Sequence, residues 1–414
     1  MKIAVVGSGI SGIGAAWLLS REHEVTVFEA NDYVGGHTHT HEIELNGAVY
    51  HVDTGFIVCN PDHYPHFFRM LGELGVDTQE TTMSFAVRNE RSGLEYNATD
   101  LDRLFVQRRN LLSPRFWTMV HGILKFYREA PALLELPDIG PDLGDYLEAN
   151  GYSTAFRDDH LLPMASALWS SPSAQILRFP AKYLVAFMAN HQMMVTRDRK
   201  PWRVVRGGSS SYIRAMLPNA SFTLRTRTPV RSVQRDAAGV CVTIDGGSER
   251  FDQIVFACHS DQALALLVDP SEREHEILGA IGYQHNDTVL HTDVRLLPRR
   301  RKAWAAWNAL MLDDERNACT VTYDMSQLQQ ISAPENFCVT LNCSDRVDPA
   351  RILKRLRYQH PIYTRASVAA QARRHEISGQ QRTWYAGAYW GWGFHEDGMR
   401  SAVDVARALG VSWP

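Results

Sequence analysis

Six residues into the chain, a β-branched strand runs into three closely spaced glycines, and few architectures can use that arrangement. "KIAVV" (2–6) is followed by "GSGISG" (7–12), and helical spacing then appears at Ile10, Ile13, Ala16 and Trp17. Gly7 permits the tight turn out of the strand, Gly9 lets a pyrophosphate approach the backbone, and Gly12 lets the helix pack on the strand. The helix opens at Ile10 and Ser11, where unpaired N–H groups and the positive dipole end favour an anion. A second strand, "EVTVFEA" (24–30), closes on Glu29, 17 residues past Gly12, where an acid bonds ribose hydroxyls. Strand, turn, helix and acid in register predict a dinucleotide site. They do not separate a nicotinamide from a flavin. The fingerprint occurs once, because "VRGGSSSY" (205–212) and "IDGGSER" (244–250) lack its spacing, and this favours one resident cofactor.

A chain of 414 residues, 45% apolar and 21% charged, has room for two packed cores. Its net charge of −3 gives no footing for nucleic acid. Six scattered cysteines with no C-x-x-C pair predict reduced thiols. The N-terminal apolar run is not read as a signal peptide, since its glycines sit where a nucleotide turn needs them. No run of 18 apolar residues predicts a membrane span, so the expected compartment is the cytoplasm, with contact at the inner membrane face as a further expectation. "GGHTHTHE" (35–42) sets His37, His39 and His41 on alternate positions, as metal ligands on one strand face would be. A metal needs further ligands and a second shell, Glu42 points the other way, and no metal is expected.

The chain reads as an α/β protein with a Rossmann-type dinucleotide domain in three pieces (1–75, 205–270 and 376–414). An α+β substrate domain is inserted twice (76–204 and 271–375). Residues 230–260 read as short strands joined by polar turns, and "SAVDVARALG" (401–410) as a helix with a glycine stop. Residues 76–204 carry Leu, Phe, Met and Trp at helical spacing, which predicts a long apolar cavity.

Beyond Glu29 the chain continues with Gly35-Gly36, His37 and Thr38, then "VDTGFIVCN" (52–60), which holds Asp53 and Gly55, and it closes with "WYAGAYWGWGFHEDGMRSAVDVARALG" (384–410). In these features it resembles the flavin-containing amine oxidase and phytoene desaturase superfamily. That resemblance implies FAD, with a histidine standing where the superfamily usually has an arginine after the glycine pair. It also implies that Val230 contacts adenine by its backbone and that Gly387, Asp397, Gly398 and Met399 lie at the flavin. Asp397 itself reads better as a cap of the last helix than as a catalyst. His37 would then neighbour a phosphate or the flavin, able to donate a hydrogen bond.

"LLPMASALWSS" (161–171), "KPWRVVRGGSSSY" (200–212), "RRRKAWAAWN" (299–308) and "VTYDMSQLQ" (321–329) are similar to a subgroup encoded beside, or fused to, cyclopropane-fatty-acid synthases. The subgroup implies a lipid substrate and a methyltransferase partner. Asp324 and Ser326 depart from it, where Trp and Asn are common.

His395 is the residue expected to bind, orient or deprotonate substrate. Tyr389, Trp390 and Trp392 are expected to line the substrate cavity. Lys200 and Lys302 are candidates for the flavin-side lysine of many amine oxidases. Residues 112–130 predict a core helix through Phe116, Met119, Val120, Ile123 and Tyr127. The flanking Arg108, Arg109, Arg115, Lys125 and Arg128 allow a membrane-surface alternative. The cavity is expected to open there or at "PRRRK" (298–302). The function expected is FAD-dependent oxidation of an apolar substrate such as a fatty acyl chain. The alternatives are oxidation of a small amine, or a non-catalytic flavoprotein partner of a lipid methyltransferase.

Overall fold

Strand β1 (Lys2–Val6) is covered on both faces, and that decides the layers around it. Ile3 and Val5 enter one core with helix α1 (Ile10–Leu19), while Ala4 and Val6 enter another. A strand apolar on both faces belongs inside a parallel sheet. In the computed structural model, which describes residues 1–169, 171–194, 201–313 and 319–413, β1 is the central strand of five parallel ones. Its neighbours are β2 (Glu24–Phe28) and Gln253–Phe256, with Thr223–Arg225 and Thr383–Tyr385 at the edges.

One face is packed by α1 and the final helix, His395–Ala408, so closely that a Cβ on Gly14 would lie 2.8 Å from the Met399 sulfur. The other carries three antiparallel strands, Val230–Asp236, Gly239–Ile244 and Gly247–Phe251, turning at the polar stretches the sequence marks. Arg235 leaves this layer to meet Glu274 with both carboxylate oxygens, at 2.6 and 3.0 Å, and both side chains are buried. Tyr385 donates its hydroxyl to the same carboxylate at 2.5 Å, which ties the edge strand Thr383–Tyr385 to the layer beneath.

A second sheet of seven strands runs in the order Ile352–Pro361, Tyr283–His291, Cys338–Leu341, Cys319–Asp324, Trp307–Met311, Phe85–Asn89, Leu94–Asn97. Its edge strand, Ile352–Pro361, lends its last residues to the cavity described below, and Tyr283, Trp307 and Tyr323 reach it from three other strands. Helices between residues 114 and 190 form their own core through Phe126, Leu147, Phe156, Leu162, Phe179 and Leu184. The apolar wealth of 76–204 is spent there: among the described residues of that stretch, only Leu168 and Trp169 line the main cavity.

The helix predicted around 112–130 spans Pro114–Glu129 and is capped by Ser113, whose hydroxyl accepts from the Phe116 N–H. It buries Phe116, Met119 and Phe126 and leaves Val120, Ile123 and Tyr127 half-buried. Its outer face exposes Trp117 and Leu124, beside exposed Leu101, Leu111 and Leu112. Among the described residues, no helix is long and apolar enough to cross a membrane.

Candidate active site

The cavity, about 810 Å³, lies just beyond the carboxyl ends of the parallel strands. Gly7 follows β1, Glu29 follows β2, Ala257 follows Gln253–Phe256 and Gly387 follows Thr383–Tyr385, and all four line it. This is where an open α/β sheet binds its ligand.

The three glycines act differently. Gly7 holds φ +99°, a left-handed turn that L side chains avoid. A Cβ on Gly12 would lie 1.9 Å from the Gly7 carbonyl oxygen, so the helix can meet the turn only without a side chain. Gly9 is in ordinary extended geometry, and a Cβ there would meet nothing within 4 Å. The protein itself has no need of a glycine at Gly9; its bare backbone faces the cavity. No side chain caps α1, so its first N–H groups stay available.

Glu29 is buried, and its carboxylate accepts from the Ser8 N–H and hydroxyl and from the Asn31 N–H and amide, at 2.6 to 3.0 Å. The final helix crosses the start of α1: a Cβ on Gly398 would lie 2.7 Å from Ile10 Cγ2 and 2.9 Å from Ser11 Oγ. Two helix N-termini therefore meet at one wall.

Ile10, Ser11, Gly35, Gly36, His37, Gly55, Val230, Tyr389, Trp392 and His395 also line the cavity. Seven expected residues stand elsewhere. Gly12, Gly398 and Met399 are helix-packing positions behind the wall. Thr38 lies behind it too, its hydroxyl bonded to Tyr212 and to His395 Nε2. Asp53 is wholly buried, bonded to Thr40, Ser209 and Gln329, and desolvation pushes it up to about 6; it joins the 40–53 hairpin to the 208–210 turn. Asp397 accepts from the Phe394 N–H and pairs with Arg400 at 2.5 Å, so it caps the final helix. Trp390 was expected in the wall, but it does not line the cavity: it packs under the sheet, its ring 4.9 Å from that of Tyr389, and carries the Arg374 guanidinium at 5.7 Å.

The three alternating histidines do not form one ligand face. The strand begins at Thr40, so only His41 belongs to it. His39 bonds the Tyr358 hydroxyl, His41 the Thr54 hydroxyl, and His37 packs 4.9 Å from the Tyr358 ring. Burial pushes all three imidazoles below their ordinary value. Among the described residues, no group of histidine, cysteine and acidic side chains could hold a metal ion.

His395 opens the final helix, stacks on Phe56 at 3.6 Å and uses Nε2 on Thr38 and Tyr212. Desolvation pushes it down to about 3, so at neutral pH it is a fixed, uncharged ring. Of the roles expected for it, binding, orienting or deprotonating substrate, this environment favours orienting.

Lys302 pairs with Asp102 in a separate surface cleft, away from the cavity, and Lys200 lies outside the described residues. No described residue of 108–128 or 298–302 lines the cavity, which corrects the expected position of its mouth. In "PRRRK" the Arg299 and Arg300 N–H groups are held by the Glu95 carboxylate.

What the sequence did not reveal is the contribution of the second sheet. Tyr283, Tyr358, His360, Tyr363 and, from the cofactor side, His259 all reach the cavity. No local motif marks them, because two strands of another sheet deliver three of them, Tyr283, Tyr358 and His360. The only faint signal is the alternation of Tyr358 and His360 in "RYQHPIY" (357–363).

The residues present fit FAD. A bare glycine backbone faces open space, a free helix end lies beside it, and a buried acid closes β2. Around them, His37 Nε2, Tyr389 Oη and Trp392 Nε1 are buried polar atoms with no partner among the described residues. The model of the family described as flavin containing amine oxidoreductase matches residues 10–295. A 4,4'-diapophytoene desaturase of Staphylococcus aureus is 40% identical over 74 residues, which are 18% of this chain and 14% of the desaturase. Cyclohexylamine oxidase from Brevibacterium oxydans has a similar structure, with a TM-score of 0.70 at 16% identity over 99% of this chain and 98% of that one. So does a fatty acid isomerase from P. acnes that produces CLA, with a TM-score of 0.69 at 15% identity and the same coverage. At such identities the two structures show the fold alone. With the family model matching more than half of its length, this chain belongs to the flavin-containing amine oxidoreductases and binds FAD.

Proposed function

We propose that the protein is an FAD-dependent oxidoreductase of an apolar substrate, with a fatty acyl chain as the substrate class. The observation that carries this reading is one wall of the cavity. Ile57, Val58, Leu168, Trp169, Trp307 and Tyr323 line it without a charge. Of the described residues lining the cavity, only Glu29 and Arg357 are acidic or strongly basic, and Glu29 is already fully bonded. FAD, when bound, supplies the acceptor for a hydride equivalent. The protein's part is to orient the substrate and exclude water, and the rigid ring of His395 on Phe56 serves the first. An open cavity argues against a purely accessory role. The resemblance to proteins encoded beside cyclopropane-fatty-acid synthases supports the acyl class and a methyltransferase partner.

Amine oxidation is the second reading, and Tyr389 and Trp392 favour it, since aromatic faces attract an ammonium group. Anaerobic mixing with oleate and with cyclohexylamine, followed by flavin absorbance, separates the two. Bleaching by oleate alone is the expected result; bleaching by cyclohexylamine alone gives the site to amines, and bleaching by neither sinks the oxidoreductase reading for both classes.

We also propose contact with an anionic bilayer through residues 101–128. Leu101, Leu111, Leu112, Trp117 and Leu124 are exposed there, and the segment holds six basic residues against one acid in a chain of net charge −3. The protein should sediment with vesicles containing anionic lipid and not with neutral ones, and Leu112→Glu/Trp117→Glu should abolish it. Equal recovery with both vesicle types would remove the contact.

A further inference from the structure

The backbone fixes where one cavity histidine keeps its proton. His360 lines the cavity 5.4 Å from the His37 ring, and burial holds it down to about 4, so near neutral pH it carries one proton on one of two nitrogens. Its Nδ1 faces the Asn286 side-chain amide at 3.0 Å. Which nitrogen bears the proton follows from which end of that amide points at it.

Two backbone groups decide the matter, because their roles are not open to choice. The Asp287 N–H donates to the Asn342 side chain at 3.0 Å, so the atom that receives it is the Asn342 oxygen. The other end of Asn342 is then its NH₂, and it donates to Asn286 at 2.7 Å, so that atom of Asn286 is its oxygen. The remaining end of Asn286 is the NH₂, which donates to His360 Nδ1. Independently, the same Asn286 NH₂ lies 3.4 Å from the Gln284 carbonyl oxygen, which can only accept. Asn286 is almost wholly buried, so bulk water does not compete for either partner. Nδ1 accepts, and the proton sits on Nε2.

We infer that His360 presents an Nε2–H donor to the ligand in the cavity, and that Asn286 and Asn342 are positioning residues that set its tautomer. Nε2 has no protein partner among the described residues, so the donor is left for a hydrogen-bond acceptor: a carbonyl oxygen, a ring nitrogen or a carboxylate. The acceptor belongs either to the flavin or to the substrate. A donor of fixed direction discriminates sharply, because an acceptor-free ligand would strand it. The inference rests on the flavin reading for its ligand but not for its tautomer.

Nitrogen NMR of ¹⁵N-histidine-labelled holoprotein tests it. Wild type should show His360 protonated at Nε2 and bare at Nδ1. In Asn342→Asp both side-chain atoms accept, so Asn286 must turn its NH₂ toward position 342 and offer its oxygen to His360. The proton should then appear on Nδ1. A wild-type proton on Nδ1, or no change in Asn342→Asp, overturns the relay.

The donor role is read separately with His360→Leu and His360→Gln, the second keeping an N–H donor. If the flavin is the acceptor, Leu shifts the visible spectrum and midpoint potential of the substrate-free holoprotein, and Gln restores them. If the substrate is the acceptor, the spectrum holds, and KM for whichever of oleate or cyclohexylamine is oxidised rises about tenfold in Leu and recovers in Gln. No change in spectrum, potential or KM for Leu overturns the donor. A colourless wild-type protein would sink the flavin reading instead, with the tautomer result still standing.

Discussion

Gly9→Val protein is expected to fold and to purify colourless. At φ −62° and ψ 176° the backbone suits any residue, and a Cβ there meets nothing within 4 Å. The cost to the fold is that of a poorer helix cap, about 1 kcal/mol. The cost to FAD is the whole approach of its pyrophosphate to the turn. Gly12→Ala should behave oppositely. Its methyl group would sit 1.9 Å from the Gly7 carbonyl, a clash with backbone that no rotamer relieves, so the protein should be insoluble or lose roughly 3 kcal/mol or more. Absorbance near 450 nm per mole of protein, beside circular dichroism of the apo forms, distinguishes them. Gly9→Val that stays yellow would show that the turn does not carry the cofactor.

The second large effect concerns Glu274. Replacing it with Gln leaves the buried Arg235 only the partly exposed Asp269 carboxylate, 3.3 Å away, and loss of the buried partner of such a pair costs up to about 3–5 kcal/mol. Burial alone would raise the Glu274 carboxyl, but Arg235, Tyr385 and the Ser271 N–H outweigh it and hold it below its ordinary value. A carboxyl held low in the folded state stabilises fully above its unfolded value of 4.5 and loses that contribution as the pH falls through its folded value. The gap in urea midpoint between wild type and Glu274→Gln should therefore be constant from neutrality to pH 4.5 and narrow below it. Arg235→Met/Glu274→Leu should recover part of the loss, and a double variant no better than the single would refute the account.

The cofactor end of the site was legible because short-range backbone geometry dictates it. Gly7 and Gly12 are forced by a turn six residues long, Gly9 by the ligand that approaches it, and Glu29 by the length of one helix. The substrate side was not, since it is assembled across sheets. His360 has no sequence neighbour that announces it, and Asn286 and Asn342, which set its proton, lie on or beside two different strands. The richness of 76–204 in large apolar residues misled for a simpler reason: composition reports how much will be buried, not whether it is buried in a core or around a hole. Trp390 and Tyr389 show the limit at its smallest scale. Their rings touch in one tight turn, yet only the three-dimensional path says which one sees the cavity.

The parallel sheet takes its strands from residues 2–28, 223–256 and 383–385, and the final helix seals the start of α1. During synthesis, then, β1 meets β2 one helix later, but the rest of their sheet and the final helix lie hundreds of residues behind them. At ordinary elongation rates the wait for the last of these is roughly 20–80 s. Throughout it, the apolar faces of β1 and β2 lack the layers that will cover them, and no complete cradle exists for FAD. The cofactor cannot guide early folding; it can only lock the finished article. A nascent chain of this kind is exposed to aggregation for longer than its modest size suggests, and flavin supply in the cell would be felt as retention of folded protein rather than as the speed at which it forms.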